Sequence, residues 1–141
     1  MRSEVYMNEI RNNDGIDSYS LGAEFADIEH LLAVDYERKE LEEAYIITSK
    51  NYRLWFDKPE DKISQIGVSG PYSGKFKGVI GIGSTLRDVV KHIGNYKEEF
   101  DVYLLPEYPG ICFELEDDPD IENDEWIELD TPIEHIYVFK D

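Results

Sequence analysis

The apolar positions of this chain fall into short runs whose spacing switches between a helical and a strand period. Polar residues and the turn signal Asn12-Asn13-Asp14-Gly15 open the chain, which predicts a loose arm or a short edge element there. Phe25, Ile28, Leu31 and Leu32 then recur at three, three and one, placing them on one face of a helix. The charged segment from Asp35 to Glu43 either extends that helix or forms a solvated connection. Three runs rich in β-branched and aromatic residues follow, Ala44 to Thr48, Tyr52 to Phe56 and Ile63 to Val68. Only the turn formers Ser49-Lys50-Asn51 and Asp57-Lys58-Pro59-Glu60-Asp61 separate them, so they read as antiparallel hairpins with no room for parallel crossovers.

After the punctuation of Ser69 to Gly74 the pattern restarts. Gly78-Val79-Ile80-Gly81-Ile82-Gly83 leads into a helix over Ser84 to Ile93, stopped by Gly94. Thr85 and Asp88 form a short version of the capping box, and Lys91 and His92 complement the helix dipole in the last turn. Leu86, Val89, Val90 and Ile93 make its apolar stripe. Strand-like runs return at Asp101 to Leu105, Gly110 to Leu115 and Ile133 to Phe139. With Gly22 set on Gly83, Asp27 falls on Asp88, Ile28 on Val89 and Leu32 on Ile93. The expectation is therefore an α+β fold in one domain over 1–141, two helices packed on one face of an antiparallel sheet. It would be a tandem repeat of a helix-then-three-strands unit, over about 16–70 and 76–141, with an acidic insertion at 114–131.

Charge changes this picture most. There are 32 acidic against 14 basic residues, a net of −18. Between Glu98 and Phe139 there is no Lys or Arg and there are 15 Asp and Glu. Such a field repels nucleic acid and anionic membrane, and it speeds the approach of cationic partners. The 10 Tyr, 6 Phe and 2 Trp argue against a disordered acidic tail. No apolar run approaches the ~20 residues of a membrane span, and the start Met1-Arg2-Ser3-Glu4-Val5-Tyr6 has no signal-peptide pattern. Cys112, the single cysteine, fits a reducing compartment, so a cytoplasmic location is expected.

Candidate chemistry is sparse. The glycines before Ser84 match neither phosphate-loop spacing and lack a following Lys, so they read as a strand meeting a capped helix. The acidic stretch Glu114 to Trp126 has Pro119 and Ile121 where a calcium loop needs its central glycine region, and reads as a solvated hairpin loop. His30, His92 and His135 show no metal-ligand spacing, and Cys112 has no basic neighbour to activate it. No metal, cofactor or catalytic group is therefore expected.

Binding is better supported. Glu116, Asp117, Asp118, Asp120 and Glu122 offer an electrostatic surface with Trp126 as an apolar anchor. If Leu54 and Phe56 face the helices, strand alternation sends Trp55 and Arg53 to the other side. With Ile136 and Val138 inward, His135, Tyr137 and Phe139 point outward, and Tyr103 is a further candidate. Such an aromatic face is either a protein-binding patch or a surface covered by another segment, for example the N-terminal arm.

Ile82-Gly83-Ser84-Thr85-Leu86-Arg87-Asp88-Val89 with Gly94, and the weaker copy at Leu21-Gly22 and Asp27-Ile28, resemble the tandem α-β units of the β-lactamase inhibitor protein and related outer-membrane assembly lipoproteins. The chain departs from the latter in lacking a lipidated cysteine. Its size, acidity and Tyr108-Pro109-Gly110-Ile111-Cys112-Phe113-Glu114-Leu115-Glu116-Asp117 resemble in character the immunity proteins that guard bacteria against polymorphic and contact-dependent toxins. That resemblance implies a non-catalytic inhibitor whose partner is a cognate protein toxin, such as a basic nuclease. The alternative is a small-ligand-binding or regulatory sensor domain with a pocket between helices and sheet.

Overall fold

A computed structural model of the chain describes residues 9–117 and 125–141. Strands carry 44% of the structure and helix only 15%, so the expected pair of helices on a sheet is not what forms. The layer facing the large sheet is itself a sheet.

The large sheet has eight strands: β4 (Glu37–Glu40), β5 (Ala44–Ser49), β6 (Tyr52–Asp57), β7 (Lys62–Ser69), β10 (Lys97–Glu99), β11 (Val102–Leu104), β12 (Ile111–Leu115) and β13 (Ile133–Phe139). Their spatial order is β10-β11-β12-β13-β7-β6-β5-β4, every neighbour antiparallel. The small sheet is built from β1 (Glu9–Arg11), β2 (Gly15–Ile16), β3 (Tyr19–Ser20), β8 (Lys75–Phe76) and β9 (Ile80–Gly81). Its order is β3-β2-β1-β8-β9, with β1 and β8 parallel. The opening segment, expected to be a loose arm or a short edge element, supplies the central strand β1 of the small sheet, with Ile10 and Ile16 in the core.

The helices are short and peripheral. α1 (Phe25–Ile28) is one turn followed by a 3₁₀ turn over Glu29–Leu31, and Phe25 packs edge-on against Phe56 at 5.8 Å. Leu31, placed on the expected helical face, is exposed. α2 (Leu86–His92) has the expected capping box: the Thr85 amide donates to Asp88 Oδ2 at 3.0 Å and the Asp88 amide to Thr85 Oγ1 at 3.2 Å. It buries Leu86 and Val89 but leaves Val90 exposed, as a helix does when it lies along a flank. α3 (Glu125–Asp130) follows β12 in the acidic stretch, where a solvated loop was expected. The tandem repeat falls with the helices. Each half of the chain contributes four strands to the large sheet rather than three, and the small sheet is built from strands that precede α1 and α2, which a helix-then-three-strands unit does not contain.

The core lies between the two sheets. Ile47, Leu54, Phe56, Ile66, Ile111, Phe113, Ile136 and Val138 fill it from the large sheet, and Ile10, Ile16, Phe76 and Ile80 from the small one. Within this apolar layer sits a carboxylate, Asp17, only 8% exposed, on the turn between β2 and β3. Its Oδ1 accepts the Glu9 amide at 2.7 Å, and its Oδ2 accepts the hydroxyls of Tyr52 at 2.5 Å and Tyr72 at 3.0 Å. Arg11 Nη2 donates to the Asp17 carbonyl at 3.0 Å. One side chain therefore joins β1 to β6 and to the loop before β8. Gly110 makes a second junction. Its amide-flanking backbone lies so close to Asn13 that a Cβ would come within 2.6 Å of that residue, and the Gly110 carbonyl accepts the Asn13 amide at 3.1 Å.

Truncating Asp17 to alanine strips the acceptor from two phenols and an amide at once. Asp17→Ala is expected to cost on the order of 3 kcal/mol, read as a lowered urea midpoint. Burial, reinforced by Asp17, pushes the Tyr52 and Tyr72 phenols well above the ordinary range, and burial with Asp61 pushes Tyr45 to about 12. The unfolded chain releases these protons at lower pH than the folded one. Stability is thus fully present below the ordinary phenol pKa of about 10 and is lost as pH rises beyond it. In an alkaline titration, phenolate absorbance from these tyrosines is expected to lag and then rise together with unfolding.

Candidate functional site

One face of the large sheet is used up by the core, and strand alternation leaves the other to carry the remaining side chains. Strand pairing aligns them in two rows. Cys112 of β12 pairs with Tyr137 of β13, Tyr137 with Gly67 of β7, and Gly67 with Arg53 of β6. Phe139 pairs with Gln65, Gln65 with Trp55, and Trp55 with Ile46 of β5. Trp55, Tyr137 and Phe139 are all partly exposed, and none belongs to the core cluster.

The aromatic side chains of this face pack on one another. Trp55 meets Tyr137 edge-on at 5.9 Å, Tyr137 stacks on His135 at 5.9 Å, and the Arg53 guanidinium lies 4.9 Å from the Trp55 ring centre. Gly67 is the floor under them: a Cβ there would come within 2.7 Å of the Tyr137 ring. The absence of a side chain lets Tyr137 lie flat toward Trp55.

An acidic end adjoins the aromatic rows. Glu114 pairs across the ladder with His135, and its Oε1 lies 2.9 Å from His135 Nδ1, while Glu134 Oε1 lies 3.4 Å away. These three side chains offer ligand atoms within 4.8 Å of one another, the group among the described residues with the composition to hold a cation. Protonated His135 satisfies the same geometry as an ion pair with two carboxylates. Glu116 and Asp117 follow at the exposed end of β12. Cys112 lies beneath this surface; burial first, then Glu114, pushes its thiol up to about 12.

The structure brings Trp55, Tyr137 and Phe139 together on one face, with Glu116 and Asp117 at the end of β12. Tyr103 does not join them. It pairs with Phe113, is 4% exposed, and points into the core side, where its hydroxyl donates to Glu128 Oε2 at 3.0 Å. The backbone of Trp126 lies in α3. Asp118, Asp120 and Glu122 lie outside the described residues. Gly67, Arg53 and His135 complete the face; His135 was legible from alternation, whereas Gly67 carries no signal until its neighbours across the ladder are known.

Two concavities are also present. A cavity of ≈ 190 Å³ is lined by Asp17, Ser18, Tyr19, Leu31, Ser49, Lys50 and Tyr52. A wider, open depression of ≈ 630 Å³ between two turns is lined by Glu42, Glu43, Asp57, Lys58, Pro59 and Glu60. The first is below the ~300 Å³ of ordinary ligand sites, and the second lacks the apolar lining such sites share.

No family model matches the sequence, and no curated protein matches it. In structure the chain is similar to the uncharacterized protein yfeY of Escherichia coli, with a TM-score of 0.59 at 12% identity, over 94% of this chain and 98% of that chain. It is also similar to a cysteine-rich secretory protein of Staphylococcus aureus, with a TM-score of 0.46 at 11% identity, over 98% of this chain. It spans 51% of that protein's length. The first likeness shows a shared fold and nothing about activity. Among the described residues no helix is long and apolar enough to cross a membrane.

Gly67→Ala is expected to lift the Tyr137 ring and break its contact with Trp55, altering the near-ultraviolet circular dichroism of Trp55 at a cost of about 1 kcal/mol. With the Cys112 thiol at about 12 rather than the ordinary 9.0, its thiolate fraction at pH 8 falls by about three orders of magnitude. Alkylation of the native protein at that pH is therefore expected to be far slower than that of the urea-unfolded chain.

Proposed function

We propose that this chain is a binding protein that inhibits a cationic protein by covering it, in the manner of a cytoplasmic immunity protein acting on a basic nuclease toxin. The observation that carries this reading is the outer face of the large sheet. There the rings of Trp55 and Tyr137 are held against each other outside the core, beside the carboxylates of Glu114, Glu116, Asp117 and Glu134. Aromatic side chains with few rotatable bonds supply contact energy at low entropic cost, and they are the common anchors of protein interfaces. The net charge of −18 draws a cationic partner toward the chain, and the local carboxylates orient it. Lysines and arginines that would hold nucleic acid are then paired with carboxylates, and the substrate is excluded. A single buried thiol agrees with a reducing cytoplasm.

The small-ligand sensor is the weaker reading, because the cavity beside Asp17 is small and Asp17 already accepts three hydrogen bonds.

The test is co-expression with the products of the two flanking reading frames, followed by tag capture in high salt. A one-to-one complex that relieves the toxicity of one of those products is expected. Trp55→Ala combined with Tyr137→Ala should weaken it at least about 100-fold through faster dissociation. Neutralising Glu116 and Asp117 together with Asp118, Asp120 and Glu122 should slow association and flatten its salt dependence. Unchanged affinity in the aromatic double variant would show that the partner sits elsewhere.

A further inference from the structure

The hairpin joining β10 to β11 is built against its own folding interest. Glu99 and Val102 pair across it, so its loop is the two residues Phe100 and Asp101. Their φ angles are +53° and +66°. Two-residue hairpins of this handedness place both loop residues in the left-handed region, where Asn-Gly is the favoured choice and an aromatic residue is a true outlier. The Phe100 ring gains nothing in return, since it is 92% exposed. A residue that strains the backbone and buries nothing has no role in holding the fold, and strain of this kind collects at functional positions.

The base of the hairpin is fixed. Tyr103 donates to Glu128 Oε2 at 3.0 Å and to Glu98 Oε2 at 3.4 Å, which ties β11 to α3, and Tyr96 packs edge-on against Tyr103 at 5.8 Å. The tip carries Glu98 and Glu99 before Phe100 and Asp101 after it, three carboxylates against the one cation Lys97, whose Nζ lies 3.4 Å from Glu99 Oε2. Its location is equally specific. Tyr103 pairs with Phe113 and Leu104 with Cys112, so continuing the register sets Val102 beside Glu114. The tip therefore projects from the same acidic end of the sheet as Glu114, Glu134 and His135.

Resting on the function proposed above, we infer that Phe100 is a rigid docking finger of the inhibitor, an aromatic anchor for an apolar pocket bordered by basic residues on the cationic partner. Glu98, Glu99 and Asp101 pair with that basic rim as the ring enters. Strain and exposure, both liabilities in the free protein, present the ring without a rearrangement on binding.

The experiment compares wild type, Phe100→Gly, Phe100→Trp and the Trp55→Ala/Tyr137→Ala double variant. Each is assayed for its urea midpoint and for its affinity for the flanking-frame product captured with wild type. Phe100→Gly relieves the left-handed strain, so its midpoint is expected to rise while its affinity falls roughly 30-fold or more, the size of an aromatic hot spot. Phe100→Trp is expected to keep most of the affinity. Wild-type affinity in Phe100→Gly, with binding lost in the double variant, would overturn the finger and leave the sheet-face reading standing. Capture of neither flanking product by the wild-type chain would overturn that reading, and the finger with it.

Discussion

The two layers of this protein are held in register by one carboxylate. Asp17 sits in the apolar space between the sheets and accepts Tyr52 from the large sheet, Tyr72 from the loop before β8, and the amide of Glu9 from β1. A buried carboxylate is costly unless its lone pairs are occupied, and here three donors occupy them. The strands of the small sheet are only two or three residues long and cannot fix their own position. The Asp17 contacts supply what ladder hydrogen bonds alone would leave loose. The small sheet shares the inner surface of the large one with Phe25 and Ile28 of α1 and Leu86 and Val89 of α2, and Trp55, Tyr137 and Phe139 of the outer surface stay outside that core.

The six inner strands of the large sheet were legible, whereas its edge strands β4, expected as a helix extension or a solvated connection, and β10 were not, nor was the small sheet, for reasons that can be traced to particular residues. Runs such as Tyr52 to Phe56 and Ile133 to Phe139 are rich in β-branched and aromatic residues and follow turn formers, so they read as strands. The segments Gly15–Ile16 and Ile80–Gly81 are too short to show a period at all, and β1 and β8 pair in parallel across a long stretch of chain. The helical spacing of Phe25, Ile28, Leu31 and Leu32 was real but decided only a single turn, because tertiary pairing of the following charged residues with β5 ended it. Thr85 and Asp88 were read correctly because a cap is a local device.

The same contrast holds for the site. The outward direction of Trp55, Tyr137 and Phe139 followed from alternation once Leu54, Phe56, Ile136 and Val138 were set inward. Tyr103 turns inward instead: in the all-apolar run Val102-Tyr103-Leu104 nothing in the sequence marks the inward face, and it is the tyrosine that is buried. The exposure of Phe100 carried no signal in the sequence, because an aromatic side chain at a turn looks like any other until its surroundings are known.

Both margins of the large sheet are made of charge. β4 is Glu37-Arg38-Lys39-Glu40 and β10 is Lys97-Glu98-Glu99, every residue exposed. A ninth strand added at either side would have to bring its own side chains against these ions, and two copies of β4 meeting edge to edge would set Glu against Glu and Arg or Lys against Arg or Lys. The open backbone rims are thereby closed to self-templated growth. An eight-stranded sheet thus meets its neighbours in solution with charge rather than with the uncharged, apolar edge from which cross-β stacking starts.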